Sequence, residues 1–268
     1  FIIFKGIFRI NFMSTLFDFG LVGLGVMGRN FILNAADHHF SVIGLDRDDQ
    51  KVADLIIEGQ SNNIDGTLDK VKFVEKLAKP RKIMLLVPAG DPVDHVIADL
   101  LPLLNPGDLI IDGGNSYFED TNRRFDTLRA NNIYFMGIGV SGGSEGARKG
   151  PSIMAGGEQK AYELVKPVFE AIAAKVSNEP CVDFLGQGSA GNYVKMIHNG
   201  IEYALMQLIA ESYHIMKLGL QFDNNQLKKT YLHWNQGDLQ SFLVEITSQI
   251  FGKSDELNAG DLIDQILD

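Results

Sequence analysis

Cysteine is nearly absent: Cys181 stands alone among 268 residues, so an intrachain disulfide is excluded and a reducing, cytoplasmic setting is expected. A thiol nucleophile is not expected either, because Glu179 and Asp183 flank Cys181 and disfavour a thiolate. No apolar run is long enough to span a bilayer. Positive charge is outweighed, 24 Lys and Arg against 34 Asp and Glu, for a net charge of −10. With a pI near 5.1, this argues against non-specific binding to nucleic acid and against adhesion to anionic membranes. Small metabolites remain as partners. There is no internal repeat and no low-complexity linker, and no metal is expected.

What is present is a chain with an apolar fraction of 45%, long enough for one large domain or two ordinary ones. Residues 1–12 are aromatic and aliphatic apart from Lys5 and Arg9, too short for a secretory signal and without its small-residue cleavage site. Met13, followed by Ser14 and Thr15, is the better start, so residues 1–12 are set aside as an extension. From Phe17 short apolar runs alternate with amphipathic stretches. Strands are expected at residues 20–23, 41–45, 82–87, 109–112 and 133–136, with helices at 30–37, 51–58, 68–77, 92–104 and 121–130. This alternation predicts a mostly parallel sheet with helices on both faces. After Gly188 the strand-like runs vanish and a long apolar-periodic segment covers residues 191–218, followed by helical candidates at 225–234 and 238–250. The expected architecture is an α/β Rossmann-type doubly wound sheet over residues 13–188, then an incomplete all-α domain over residues 189–268.

Gly23-Leu24-Gly25-Val26-Met27-Gly28 is G-x-G-x-x-G, and it follows a strand candidate and opens a helix. The first glycine permits a tight turn, the second lets a pyrophosphate approach the backbone, and the third lets helix and strand pack closely. The helix N-terminus then offers free amide donors to phosphate. Asp46 ends the second strand, where an acid accepts hydrogen bonds from the adenosine ribose and disfavours a 2′-phosphate. Arg47 beside it favours that phosphate. An exposed turn capping the next helix is the alternative for both, and the main reading of Asp48 and Asp49.

Lys195, His198, Asn199 and Glu202 fall at relative positions 0, 3, 4 and 7, one face of a helix. The flanking Val194, Met196, Ile197, Ile201, Leu205 and Met206 are expected to bury that helix, which leaves the polar stripe facing a pocket, a partner or water. A base, two hydrogen-bonding groups and an acid in one stripe suit proton chemistry; a solvated face with a lysine–glutamate pair is the plain alternative.

These motifs, together with Ile111-Asp-Gly-Gly-Asn-Ser116, Gly139-Val-Ser-Gly-Gly143, Gly146-Ala-Arg, Gly150-Pro-Ser and Lys195-Met-Ile-His-Asn-Gly-Ile-Glu-Tyr203, resemble the decarboxylating 6-phosphogluconate dehydrogenases. The likeness runs from about Phe19 to the end. It implies that Lys195 takes the proton of the C3 hydroxyl while hydride passes to the nicotinamide, that the β-keto acid loses carbon dioxide, and that Glu202 protonates C1 to give ribulose 5-phosphate. A lysine at its ordinary pKa of about 10.4 is a poor base near neutrality, so the role demands desolvation or nearby positive charge.

The resemblance further implies that His198 and Asn199 hold substrate hydroxyls, that Tyr203 meets the substrate phosphate, and that Ser141, Gly142 and Gly143 bind the carboxylate end. Without it, Ser141-Gly142-Gly143 reads as a flexible turn and His198 and Tyr203 as helix surface. Asn115 would lie near both nicotinamide and substrate, and Val87, Pro88 and Ala89 would line the cofactor, with Pro88 where many members carry lysine. NADP-using members carry Asn-Arg-Thr in place of Asp46-Arg47-Asp48, so the expected cofactor is NADP, with NAD possible given Asp46. Members continue for roughly two hundred residues more; the chain is expected to be the first part of such an enzyme, homodimeric when complete. A hydroxyisobutyrate-type dehydrogenase is the rival, but that chemistry stops at the carbonyl and needs no acid at Glu202. A cofactor-binding remnant without turnover is the non-enzymatic alternative.

Overall fold

The computed structural model of the chain describes residues 16–59, 63–257 and 260–265, so the extension expected at residues 1–12 and the start expected at Met13 lie outside the described residues. The chain divides into two compact units, Phe1–Ile197 and His198–Asp268.

In the first unit strands and helices alternate: β1 (Phe19–Val22), α1 (Val26–Asp37), β2 (Val42–Leu45), α2 (Asp49–Gly59), β3 (Ile64–Thr67), α3 (Lys70–Glu75), β4 (Lys82–Leu85), α4 (Asp91–Leu100), β5 (Leu109–Asp112), α5 (Phe118–Ala130), β6 (Tyr134–Ser141), α6 (Gly143–Lys149), β7 (Ser152–Gly157), α7 (Gln159–Ile172), a short hairpin of β8 (Lys175–Val176) and β9 (Glu179–Pro180), and β10 (Val182–Gly186). All but the hairpin join one sheet in the order β10-β7-β6-β5-β4-β1-β2-β3. Its pairs are parallel except β6 with β7. The order reverses direction at β1, between β2 and β4, and opens a crevice at the carboxyl ends of these strands, where doubly wound sheets bind their ligands. The Rossmann-type fold expected from the sequence is therefore the observed one.

The inner strands are mostly apolar because both faces of the sheet are covered, with Asp112 buried at the end of β5. Alternate side chains feed different cores: Phe19, Leu21, Leu109 and Ile111 pack with Phe31, Ile32 and Phe169, while Val22, Ile83, Leu85 and Ile110 pack with Phe73, Val93, Ile97 and Leu128. The expected strands and helices up to Ala130 are present, the helix expected at residues 68–77 being shorter, with Asp69 capping it through the amides of Val71 and Lys72. Sequence reasoning missed β3, whose Ile-Asp-Gly-Thr is only half-buried at the sheet edge, and the whole run α6, β7, α7 and β10. In β7 the glycines and alanine of Ser-Ile-Met-Ala-Gly-Gly dilute the β-branched signal.

The chain turns wholly helical at α8 (Ala190–His214), which ends in a π-helical turn, Ile215–Gly219. In the second unit α9 (Asn224–Trp234) starts on a capping box of Asp223 and Gln226, and α10 (Phe242–Ile250) on Ser241. Their core is Met216, Leu227, Tyr231, Val244 and Phe251. Tyr231 stacks on Phe251 at 5.5 Å and donates to the Ile209 carbonyl at 3.0 Å. No described helix is long and apolar enough to cross a membrane.

Candidate functional site

A cleft of about 920 Å³ opens at the carboxyl ends of β1, β2 and β4, lined among others by Gly23, Gly25, Asp46, Arg47, Lys51, Val87 and Pro88. Gly23 sits at φ +98°, and a Cβ there would run into the Leu86 carbonyl, so only glycine makes this turn. A Cβ on Gly28 would collide with the Gly23 carbonyl, which is how the third glycine lets α1 meet the turn. Gly25 is the N-cap of α1, carries no capping side chain and has open space where a Cβ would be. The first amides of α1 thus open onto a cradle of the kind that takes a pyrophosphate, and the residues present fit a dinucleotide. Leu24 is buried and packs inward, whereas Val26 is exposed and Met27 half-buried against the core.

Asp46 does more than the sequence suggested. Its Oδ2 accepts from the Leu24 amide at 2.7 Å and its Oδ1 from the Asp48 amide at 3.0 Å, so it clamps the glycine turn to the end of β2. Lys51, unremarked in the sequence, sits 3.9 Å from both Asp46 and Asp48 and brings a second cation to the rim beside the exposed Arg47. Asp48 accepts from the Gln50 amide at 3.0 Å, the capping role expected of it. Asp48, Ala89 and Asn115 do not line the cleft.

Asn115 is exposed in the turn after β5, and that turn is held from beneath. Asp112 accepts from Ser116 Oγ at 2.6 Å and from the Gly114 amide at 3.0 Å. Arg124 reaches Ser116 Oγ at 3.2 Å and Asp112 at 3.4 Å, donates to the Gly90 carbonyl at 3.0 Å, and grips Asp94 through Nε and Nη2, both at 2.9 Å. A single guanidinium, 2% exposed, so ties the turn after β4 to the turn after β5. Burial pushes the Asp112 carboxyl up, against the opposing effects of Ser116, the Gly114 amide and Arg124. Hydrogen bonds from Arg124 first, and from Arg123 as well, hold Asp94 far below the usual carboxylate range despite some burial. Nothing in the sequence marked Arg124, since an arginine in a charged helix reads as surface.

Lys195 is 9% exposed, whereas the apolar residues expected to bury its helix are not covered: Val194, Met196 and Ile197 are 37%, 42% and 45% exposed, and Ile201, Leu205 and Met206 also lie open. The expected burial pattern is thus inverted. The cause lies in β6 and β7. A Cβ on Gly139 would come within 2.5 Å of the Lys195 Cβ, and Cβ atoms on Gly137, Gly156 and Gly191 would clash with Asn192 or with backbone. The strands are bare enough for the small and polar edge of α8 to lie flush, and Val194, Met196 and Ile197 point away. Asn192, 3% exposed, bonds through Nδ2 to the carbonyls of Gly114 at 3.3 Å and Ile138 at 3.4 Å, and accepts from Thr121 Oγ1 at 3.1 Å. It was not singled out from the sequence, although it stands three residues before Lys195 and shares its face.

Ser141 closes β6 and Gly143 opens α6, with Gly142 and Gly143 at φ +121° and +61°; the Ser-Gly-Gly segment is a strand-to-helix passage. Within the second unit, His198 Nδ1 lies 3.2 Å from Asn199 Oδ1 and 3.8 Å from Glu202 Oε2. Tyr203 is 71% exposed.

Comparison with known proteins follows these same residues. Residues 18–186 match the model of the NAD binding domain of 6-phosphogluconate dehydrogenase, and residues 191–268 that of its C-terminal domain. The chain is 50% identical over 249 residues to a Bacillus subtilis NADP(+)-dependent, decarboxylating 6-phosphogluconate dehydrogenase, covering 93% of this chain and 53% of that protein. It is 50% identical over 252 residues to decarboxylating 6-phosphogluconate dehydrogenase 1 of Saccharomyces cerevisiae, covering 94% and 51%. The chain therefore spans about half the length of the curated relatives it matches. A solved Plasmodium falciparum 6-phosphogluconate dehydrogenase, studied apo, with its cofactor NADP+ and with its substrate 6-phosphogluconate, superposes with a TM-score of 0.87 at 43% identity, covering 94% of this chain and 54% of that one. A 3-hydroxyisobutyrate dehydrogenase from Salmonella typhimurium shares the fold, with a TM-score of 0.70 at 24% identity over 86% of this chain and 76% of that one. With both family models matched in order along the chain, and the glycine turn and buried lysine falling inside them, this chain belongs to the 6-phosphogluconate dehydrogenase family.

Proposed function

We propose that this chain carries the cofactor site and the proton-transfer helix of an enzyme that converts 6-phosphogluconate to ribulose 5-phosphate and carbon dioxide. NADP is the proposed oxidant, with NAD as the weaker alternative given Asp46. Residues 13–188 form the cofactor domain and residues 189–268 the start of the helical domain. The observation that carries the reading is the burial of Lys195 on Gly139, because desolvation is one of the two conditions that let a lysine serve as a base near neutrality.

The dinucleotide would be held by the Gly23–Gly28 turn and the α1 amides, with Asp46 and Arg47 at its ribose, and when bound it supplies the hydride acceptor. Lys195 takes the proton from the C3 hydroxyl as that carbon is oxidised, and once protonated it stabilises the enolate oxygen left by loss of carbon dioxide. Glu202 then delivers a proton to C1. Asn115 orients the substrate beside the nicotinamide side of the cleft, Ser141, Gly142 and Gly143 take its carboxylate end, His198 and Asn199 its hydroxyls, and Tyr203 its phosphate. A cytoplasmic location agrees with the single cysteine. A homodimer agrees with the apolar residues Ile201, Leu205 and Leu208 left open on α8. The test is to follow reduced cofactor spectrophotometrically with 6-phosphogluconate and, separately, with 3-hydroxyisobutyrate. Turnover of the first and not the second is expected; the reverse would replace this reading with the hydroxyisobutyrate one.

A further inference from the structure

We propose that Asn192 is a positioning residue: it sets the distance between the base Lys195 and the turn that carries Asn115. The inference rests on the proposed function, since Lys195 and Asn115 matter only if that chemistry occurs. Asn192 binds three elements at once. Its Nδ2 serves the Gly114 carbonyl, immediately before Asn115, and the Ile138 carbonyl of β6, while its Oδ1 takes the hydroxyl proton of Thr121 from α5. The strand beneath has been cleared for it, because any Cβ on Gly137 would collide with Asn192 Oδ1. Two residues on, Gly139 clears the same face for Lys195. Asn192 and Lys195 of α8 are thus both seated on glycines of β6, and Asn192 ties α8 to the turn after β5 through a directional bond.

A space-filling role would be met as well by an apolar side chain, which would leave no amide to satisfy in a site 3% exposed. What an amide adds is a fixed vector between α8 and the Gly114–Asn115 backbone. Losing it lets the base drift relative to the substrate, and a displacement of about 1 Å costs on the order of 10²-fold in rate.

The experiment compares wild type, Asn192→Ala and Thr121→Val, measuring kcat and KM for 6-phosphogluconate, NADP affinity by fluorescence, melting temperature, and the isotope effect with substrate deuterated at C3. The expected result for Asn192→Ala is a kcat lower by roughly 10- to 100-fold, NADP affinity within about twofold of wild type, and a larger isotope effect because the hydride step has become limiting. Thr121→Val, which removes the hydroxyl that serves Asn192 Oδ1 and the Tyr117 carbonyl and keeps the side-chain shape, shifts the same quantities in the same direction by several-fold and decides the matter if Asn192→Ala does not fold. A lower melting temperature with kcat per folded molecule and isotope effect unchanged in both variants would overturn the proposal and leave Asn192 a packing residue. An enzyme that carries this chain at the length of its relatives and binds NADP without turning over 6-phosphogluconate would overturn the functional reading and this inference with it.

Discussion

Asp46 takes on a structural task in the fold beside the one expected of it at the ribose. The acid was read as a ribose acceptor opposed by Arg47; it also clamps the Leu24 amide, so replacing it touches the turn as well as the specificity. Asp46→Asn keeps one oxygen for Leu24 but gives up the acceptor of the Asp48 amide. It is expected to weaken both cofactors slightly while shifting the NADP-to-NAD preference by about fivefold, the ~1 kcal/mol of an anion removed from beside a 2′-phosphate in a part-exposed site. Ratios of kcat/KM for the two cofactors check it, and an unchanged ratio would mean that Asp46 belongs to the turn alone. Lys195→Ala is expected to lower the oxidation rate by about 10²–10⁴-fold with NADP affinity retained; near-normal turnover would remove Lys195 as the base. Glu202→Ala should slow formation of ribulose 5-phosphate more than reduction of the cofactor, and equal losses in both steps would point to a structural role. The roles of these residues are what the family resemblance implies, whereas the polar stripe itself was legible because the i, i+3, i+4, i+7 spacing puts Lys195, His198, Asn199 and Glu202 on one helix face. Burial was not, because it depends on glycines of β6 nearly sixty residues upstream.

Among the elements, the β1–turn–α1 unit was readable because each glycine answers a local steric demand, whereas α6, β7, α7 and β10 owe their form to partners distant in sequence. The α4–α5 pairing belongs to this second kind. Asp94 on α4 takes both Arg123 and Arg124 of α5, and its carboxyl is held far below the ordinary range chiefly by the Arg124 hydrogen bonds. A depressed folded-state pKa gives stability that is present above the unfolded carboxylate value of about 3.9 and is lost as pH falls through the folded value. Asp112 has the opposite sign: its carboxyl is pushed up by burial, so its favourable contribution is present at low pH and is lost as pH rises through the folded value. Asp94→Asn should therefore lower the melting temperature near neutral pH, and the gap to wild type should begin to narrow below about pH 4 and close only as pH falls through the much lower folded value. A gap that persists unchanged into strong acid would mean that the hydrogen bonds, and not the charge, account for the effect. At α1, Gly28→Ala drives a Cβ into the Gly23 carbonyl. It should cost about 1–3 kcal/mol of stability as overpacking does, along with dinucleotide binding; retained affinity would show that the turn can relax.

The two compact units differ sharply in what holds them. The first has two cores, one on each face of an eight-stranded sheet, while the described core of the second is five side chains grouped around Tyr231 and Phe251. Small cores support small stabilities because less of the chain's surface is buried per ordered residue, and α8 leaves Ile201, Leu205 and Leu208 in contact with water in that unit. Unfolding should accordingly occur in two steps, the second unit first, and the ligand should act on one of them. All the residues lining the cofactor cleft belong to the first unit, and a ligand stabilises only the species that binds it. At an NADP concentration about a hundred times its Kd the gain is roughly 2.7 kcal/mol, which for a unit of this size raises the melting temperature by roughly 5–10 °C. Calorimetry with and without NADP should therefore show the upper transition moving and the lower one fixed. A single transition that shifts as a whole would mean that the units unfold as one, and that α8, which runs from one into the other, couples them more strongly than their separate cores suggest.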